Sequence, residues 1–205
     1  MKISYAIPVC NEWMQLEYLL NYLFKHKREQ DEIVVQCDKG NTTPSVYQVL
    51  EEYKDKIQII EFALNKDFAS FKNNLKDHCS GEYIFQIDAD EYPDEYLMNT
   101  IEWLITNNDG VDIFWVPRIN TVKGLTQEHI DKWGWRVDPD GKVNFPDYQC
   151  RIMKNVKRIK WKNKVHEVLT GFKTESQLPA NKEFCIHHPK TINRQEEQNA
   201  FYDTI

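Results

Sequence analysis

Four short apolar runs, Ile3 to Val9, Glu32 to Cys37, Ile57 to Phe62 and Tyr83 to Ile87, alternate with three segments of helical spacing. Strands and helices alternating at this interval build a doubly wound, mostly parallel sheet with right-handed crossovers. In the first intervening segment Met14, Leu16, Leu19, Leu20, Leu23 and Phe24 recur at helical spacing and predict one apolar face. The second opens at Thr43-Pro44, with Thr at the N-cap and Pro at the first helical position. The third spans Phe68 to Cys79 and is closed by Gly81.

Beyond Asp90 the pattern changes. Glu91-Tyr92-Pro93-Asp94-Glu95 leads into a helix ending near Thr106, its first turn acidic as the helix dipole favours, and Asp112 to Pro117 reads as a strand. Arg118 to Phe145 is polar and rich in Trp, Gly and Asp, which predicts loops. Tyr148 to Met153, Ile159 to Trp161 and Val165 to Leu169 read as short antiparallel strands, Phe184 to His188 as the last strand, and Thr191 onward as a helix reaching the final residue. No Pro/Ser/Gly-rich linker or internal repeat divides the 205 residues. The expectation is α/β and one domain over 1–205, with a regular half at 1–117 and a less regular half at 118–205.

In parallel sheets ligands gather outside the carboxyl ends of the strands. Asn11-Glu12, Asp38 and Asp88-Ala89-Asp90 all lie at such ends, so one site is predicted from all three. Asp88 and Asp90, two apart on an extended segment, point to one side. Two carboxylates suit Mg²⁺ or Mn²⁺, which complete their shells with phosphate oxygens and water.

The formal charge of −6 weighs against a general nucleic-acid-binding surface. Locally the sign reverses at Lys154, Lys157, Arg158, Lys160, Lys162 and Lys164, a lysine-protected edge or a rim for phosphate or peripheral membrane contact. Five scattered cysteines without a C-x-x-C spacing suggest reduced core residues. With neither a signal peptide nor a membrane-spanning run in the sequence, the expected location is cytoplasmic.

Several motifs carry a family resemblance. Ile7-Pro8-Val9-Cys10-Asn11-Glu12, Phe68-Ala69-Ser70-Phe71-Lys72-Asn73, and Gly81 through Asp88-Ala89-Asp90-Glu91 together resemble the family 2 glycosyltransferases of the GT-A fold, particularly small bacterial and phage members. Tyr148 to Met153, Val165-His166-Glu167, and His188-Pro189-Lys190 with Arg194-Gln195 are similar to motifs of one subgroup. The resemblance implies a nucleotide-sugar donor, with residues 118–205 as the acceptor side.

It further implies that Pro8, Asn11 and Glu12 line the nucleoside pocket, Glu12 facing the ribose. Asp38 would accept from the base, and a carboxylate suits the imide N–H of uracil. Asp88 and Ala89 would lie beside the ribose and Asp88 and Asp90 at the cation. Lys72 would contact the diphosphate in place of the family's usual Arg, keeping the charge without the bidentate fork.

The family's E-D base motif is not present in its usual form, which leaves Glu167 and Asp147 as candidates. His188, preferred to His187 by its spacing to Lys190 and Arg194, would be a metal ligand; His166 would replace it or orient Glu167. Trp133, Trp135 and Trp161 are either walls for the acceptor or buried core residues. The acceptor stays open among glycan, lipid-linked glycan and protein, with the net charge weighing against nucleic acid. Nucleotidyl transfer and a nucleotide-sugar-binding module without catalysis are the alternative functions.

Overall fold

The computed structural model describes residues 1–202. The first four strands are β1 (Ile3–Val9), β2 (Glu32–Asp38), β3 (Gln58–Phe62) and β4 (Tyr83–Gln86), connected by α1 (Trp13–His26), α2 (Pro44–Tyr53) and α3 (Phe68–Asp77). They pair parallel in the order β3-β2-β1-β4. β5 (Tyr92–Pro93) and α4 (Glu95–Thr106) follow, then β6 (Ile113–Lys123), α5 (Gln127–Trp133), β7 (Val143–Lys154), β8 (Lys160–Lys162), β9 (Val168–Thr170), β10 (Glu175–Gln177), β11 (Ile186–Thr191) and α6 (Ile192–Tyr202).

Beyond β4 the sheet continues β7-β6-β11-β5, with β10 also pairing β6. Only β7 and β5 run against the common direction. β8 and β9 form a separate two-stranded sheet.

Period-two alternation assigns side chains to two cores. Ile3, Tyr5, Ile7, Ile33, Val35, Tyr83 and Phe85 face α1, α2 and α4, whereas Ala6, Val34, Ile84, Ile113 and Met153 face α3 and β8. Leu16, Leu19, Leu20 and Leu23 bury the inner stripe of α1, each worth about 1.5–3 kcal/mol. Met14, predicted on that stripe, is exposed, and Phe24 is only partly buried.

Helix starts follow the sequence closely. Asp67 caps α3 by accepting from the Ser70 N–H at 2.9 Å, and Asp94 caps α4 through Tyr96 at 3.0 Å. Thr43 and Pro44 occupy the predicted positions, yet the Thr43 hydroxyl makes no cap bond. Gly81 does not close α3, which ends at Asp77. It sits where a Cβ would lie 2.7 Å from the backbone nitrogen of Ser4, so only glycine permits this approach to β1.

The second half is more regular than its sequence predicts. Instead of loops over 118–145, β6 runs on to Lys123, α5 occupies 127–133 and β7 starts at Val143. Burial supplies the missing signal: the long β6 and β7 pair with each other, and β6 also receives β11. Val165 to Glu167 is not strand, because Asn163 and His166 take positive φ and interrupt the extended run. Of the last strand, Phe184 lies in a short 3-10 turn (Lys182–Phe184), and residues 203–205 of the expected final helix lie outside the described residues.

Candidate active site

Between β3 and β4 the chain crosses from one side of β1 to the other, opening a crevice outside the carboxyl ends of β1 and β4. A cleft of about 1050 Å³ occupies that place. Pro8, Asn11 and Glu12 reach it from β1, Asp38 from β2, Lys72 from α3, and Asp88, Ala89 and Asp90 from the turn after β4. Asp147, Glu167 and His188 line it from the second half. His166, exposed and at φ 54°, is not among its lining residues. The three strand ends predicted to converge therefore do so.

Behind the acidic turn lies a buried network. Asp88 Oδ2 accepts from Arg151 Nη2 at 2.6 Å, and the same nitrogen donates to Glu91 Oε1 at 2.6 Å. Arg118 donates to that Glu91 oxygen at 3.0 Å and to Asp147 Oδ2 through Nε at 2.9 Å and Nη2 at 2.6 Å. Glu91 closes the turn by accepting the Asp88 N–H at 3.1 Å. Burial alone would raise the Asp88 pKa, but Arg151 and Lys72 outweigh it and hold the carboxyl well below its usual range.

On the other arm of the turn, Asp90 Oδ2 lies 3.4 Å from His188 Nε2, and His188 Nδ1 lies 2.8 Å from Asn120 Oδ1. His187, its neighbour, points elsewhere: it stacks on Tyr92 with ring centroids 4.9 Å apart and meets Asp94 at 3.4 Å. The alternation expected of adjacent strand residues thus selects His188 for the cleft.

Two of the predicted nucleoside contacts are already engaged. Glu12 Oε2 accepts the N–H groups of Cys10 and Asn11 at 3.0 Å each, while Oε1 pairs with Arg194 of α6. Asp38 accepts from Leu64 N–H at 2.9 Å and Asn41 Nδ2 at 3.0 Å, tying the end of β2 to the loop after β3.

A model of glycosyl transferase family 2 matches residues 4–195, nearly the whole chain. The chain belongs to that family. None of the curated proteins matches it by sequence. Among solved structures, S. aureus TarS 1–349 superposes with a TM-score of 0.62 at 16% identity, over 92% of this chain and 60% of that one. The TarS complex with UDP-GlcNAc gives 0.60 at 16% identity, over 93% and 59%, and that with UDP 0.59 at 16%, over 92% and 60%. At this identity the likeness shows the GT-A fold, and the chain spans about three fifths of the TarS 1–349 chain.

Within this family 2 fold the candidate bases differ sharply. Asp147 accepts four hydrogen bonds, three on Oδ2 from Arg118 and Asn120 and one on Oδ1 from Gln149 at 2.7 Å. Burial pushes its pKa up, but Arg118, Asn120 and Gln149 prevail and hold it down, which disfavours proton uptake. Among the described residues Glu167 has one ion-pair partner, Lys72, whose Nζ also lies 4.6 Å from the centre of the Trp161 ring. Trp161 itself is buried in the core rather than walling the cleft; Trp135 does line it, with Trp133 packed against it at 4.6 Å.

The sequence did not single out Glu91, Arg118 or Asn120, and Arg151 entered only within a motif. An arginine flanked by Cys150 and Ile152 in a buried strand is the available signal, since arginine is rarely buried without a partner. Of the basic stretch, Arg158 is tied to Asp112 at 2.7 Å and Lys154 to the Asp109 carbonyl. Lys157, Lys160, Lys162 and Lys164 are exposed and make no ion pair among the described residues. All five cysteines are free thiols, and among the described residues no helix is long and apolar enough to cross a membrane.

Proposed function

We propose that this chain transfers a sugar from a nucleotide-diphosphate donor, a UDP-sugar, to an acceptor hydroxyl with inversion at the anomeric carbon. The observation that carries it is the convergence of the Asp88-Ala89-Asp90 turn, Asp38, His188 and Glu167 on one cleft at the switch point of a family 2 fold. TarS, which shares that fold, has structures with UDP and UDP-GlcNAc, which supports a uridine donor.

The residues fit a divalent cation. Two adjacent ligands of an octahedral ion with bonds of about 2.1 Å lie about 3 Å apart; Asp90 Oδ2 and His188 Nε2 are 3.4 Å apart. Among the described residues no group of three or more His, Cys, Asp or Glu is placed to hold a metal ion by itself. A small protein share suits Mg²⁺ or Mn²⁺, which keep phosphate and water ligands. Asp88 has committed Oδ2 to Arg151 and has Oδ1 to offer. When bound, such a cation supplies Lewis-acid neutralisation of the departing diphosphate.

The chain's own groups supply the rest. Glu167 takes the proton of the acceptor hydroxyl as its oxygen bonds to the anomeric carbon and the carbon–oxygen bond to the diphosphate breaks. Lys72 has its ammonium beside both Glu167 and the Asp88 side of the cleft, where it offsets phosphate charge. Asp38 accepts from the base, and Trp135 offers an aromatic face to the acceptor. Lys157, Lys160, Lys162 and Lys164, exposed and without an ion pair among the described residues, offer a basic stretch to an anionic membrane.

Incubation with UDP-sugars and Mn²⁺ is expected to release UDP slowly even without acceptor. UDP affinity measured by calorimetry is expected to fall in EDTA and to lose most of that dependence in Asp90→Asn. Equal affinity in Mn²⁺ and EDTA would overturn the cation assignment. Pyrophosphate release from a nucleoside triphosphate and a sugar phosphate would instead indicate nucleotidyl transfer, and binding without turnover a non-catalytic module.

A further inference from the structure

Asp147, Asn120 and His188 stand on three adjacent strands. The β6–β11 register sets His188 opposite Asn120, and the β6–β7 register sets Arg118 opposite Asp147. Arg118 and Asn120, two residues apart, share a face of β6; the register shifts between them, which sets Asn120 opposite Val143, and both side chains still reach the Asp147 carboxylate. An ionised carboxylate only accepts hydrogen bonds. It therefore decides which way the Asn120 amide lies: Nδ2 faces Asp147 Oδ2 at 2.9 Å, and Oδ1 is left facing His188 Nδ1 at 2.8 Å.

That amide oxygen can likewise only accept, so His188 Nδ1 must carry the proton. In a neutral imidazole the other nitrogen then holds a lone pair. Here that nitrogen, Nε2, faces Asp90 Oδ2 at 3.4 Å. Two acceptors turned toward each other repel unless a cation or a second proton stands between them. The opposite amide orientation would put the proton on Nε2 and close the pair as an ordinary hydrogen bond.

We infer that Asn120 is a positioning residue which, held by Asp147, sets the His188 tautomer so that Nε2 and Asp90 offer two lone pairs to one cation. The inference rests on the cation site proposed above and gives Asp147 a role other than that of base. Arg118 extends the same logic to the other arm of the acidic turn. It bonds both Asp147 and Glu91, and Glu91 shares Arg151 with Asp88, so both carboxylates of the turn are oriented by one buried network. Groups that orient a metal-binding histidine typically change metal affinity by about 10–100-fold.

The test reads the tautomer directly, in metal-free protein. Long-range ¹H–¹⁵N spectra of ¹⁵N-histidine-labelled chain at alkaline pH, with His188 assigned through His188→Gln, are expected to show the proton on Nδ1. Asn120→Leu removes the acceptor and should move the majority of the proton to Nε2, with Mn²⁺ affinity, read by electron paramagnetic resonance, falling tenfold or more. Asn120→Asp, which still accepts from Nδ1, should retain the wild-type tautomer. A wild-type His188 protonated on Nε2, or an unchanged tautomer in folded Asn120→Leu, would overturn the inference. A wild-type chain that binds no Mn²⁺ yet shows the tautomer shift would support the Asn120 role and overturn the cation site alone.

Discussion

Glu167→Gln and Asp147→Asn separate the two candidate bases because their surroundings predict opposite losses. Among the described residues Glu167 has one ion-pair partner, and Lys72 keeps its contact with the Trp161 ring when that charge is removed. With side chains 14% and 18% exposed, the pair is largely sheltered, but the substitution leaves an amide that still accepts, so the stability loss should stay near 1 kcal/mol. Removing a general base costs about 10²–10⁴ in rate, or about 3–5 kcal/mol of barrier. The signature is UDP release from a UDP-sugar and Mn²⁺ reduced by at least two orders of magnitude, with donor affinity and melting temperature nearly unchanged.

Asp147→Asn should do the reverse. It weakens charge-assisted bonds from Arg118, each worth about 1.5–3 kcal/mol, although Arg118 remains paired with Glu91 and is not left as an orphaned charge. A loss of about 2 kcal/mol follows, or about 4–8 °C in melting temperature for a chain of this size. Turnover should fall through weaker metal-dependent donor binding. Normal turnover in Glu167→Gln, alongside an inactive Asp147→Asn with intact donor affinity, would refute the reasoning and make Asp147 the base.

Three further outcomes are expected. Asp38→Asn should weaken UMP at least tenfold in calorimetry while leaving the metal requirement unchanged, since a hydrogen bond to a charged acceptor is worth about 1.5–3 kcal/mol; unaltered UMP affinity would reduce Asp38 to its contacts with Asn41 and Leu64. Glu32 is subject to burial that raises its pKa, but Lys2, Ser4 and Ser80 pull it down to about 2, so its stabilisation is present above the unfolded value and lost as pH falls toward 2. Denaturant titrations at pH 6 and pH 3 should show the gap between wild type and Glu32→Gln shrinking by about 1–2 kcal/mol, and a constant gap would count against it. The chain should co-sediment with phosphatidylglycerol vesicles and not with phosphatidylcholine, and Lys160→Glu with Lys162→Glu should weaken this by at least about 25-fold at about 1 kcal/mol per lysine; equal binding by the double variant would exclude this surface.

The candidate site was legible in the sequence wherever it lies at the end of a buried parallel strand. Asn11, Asp38, Asp88 and Asp90 each follow an apolar run, and a parallel sheet sends the carboxyl ends of its strands to one edge regardless of other details. For the two adjacent histidines alternation let only one face the cleft, and it was the spacing to Lys190 and Arg194 that favoured His188. His166 escaped that logic because a positive φ at its own position breaks the strand that the logic assumed. Met14 was misplaced, and Trp161 stayed open between wall and core, for a different reason: helical spacing and aromatic character do not reveal whether a neighbour covers the residue.

Local sequence therefore determined the β1–β4 layout, the helix starts at Asp67 and Asp94, and the acidic turn, because these depend on apolar periodicity and on hydrogen bonds a few residues apart. The tertiary structure alone decided what surrounds that turn. Arg118, Asn120, Asp147, Arg151 and His188 come together through the registers of β6, β7 and β11, over separations of up to 70 residues in the chain. A register is fixed by the packing of whole strands, and shifting one strand by a single residue would turn its members of this group to the opposite face. That is why the carboxylates could be read from the sequence, while Arg118, Asn120 and Arg151, which hold and orient them, could not.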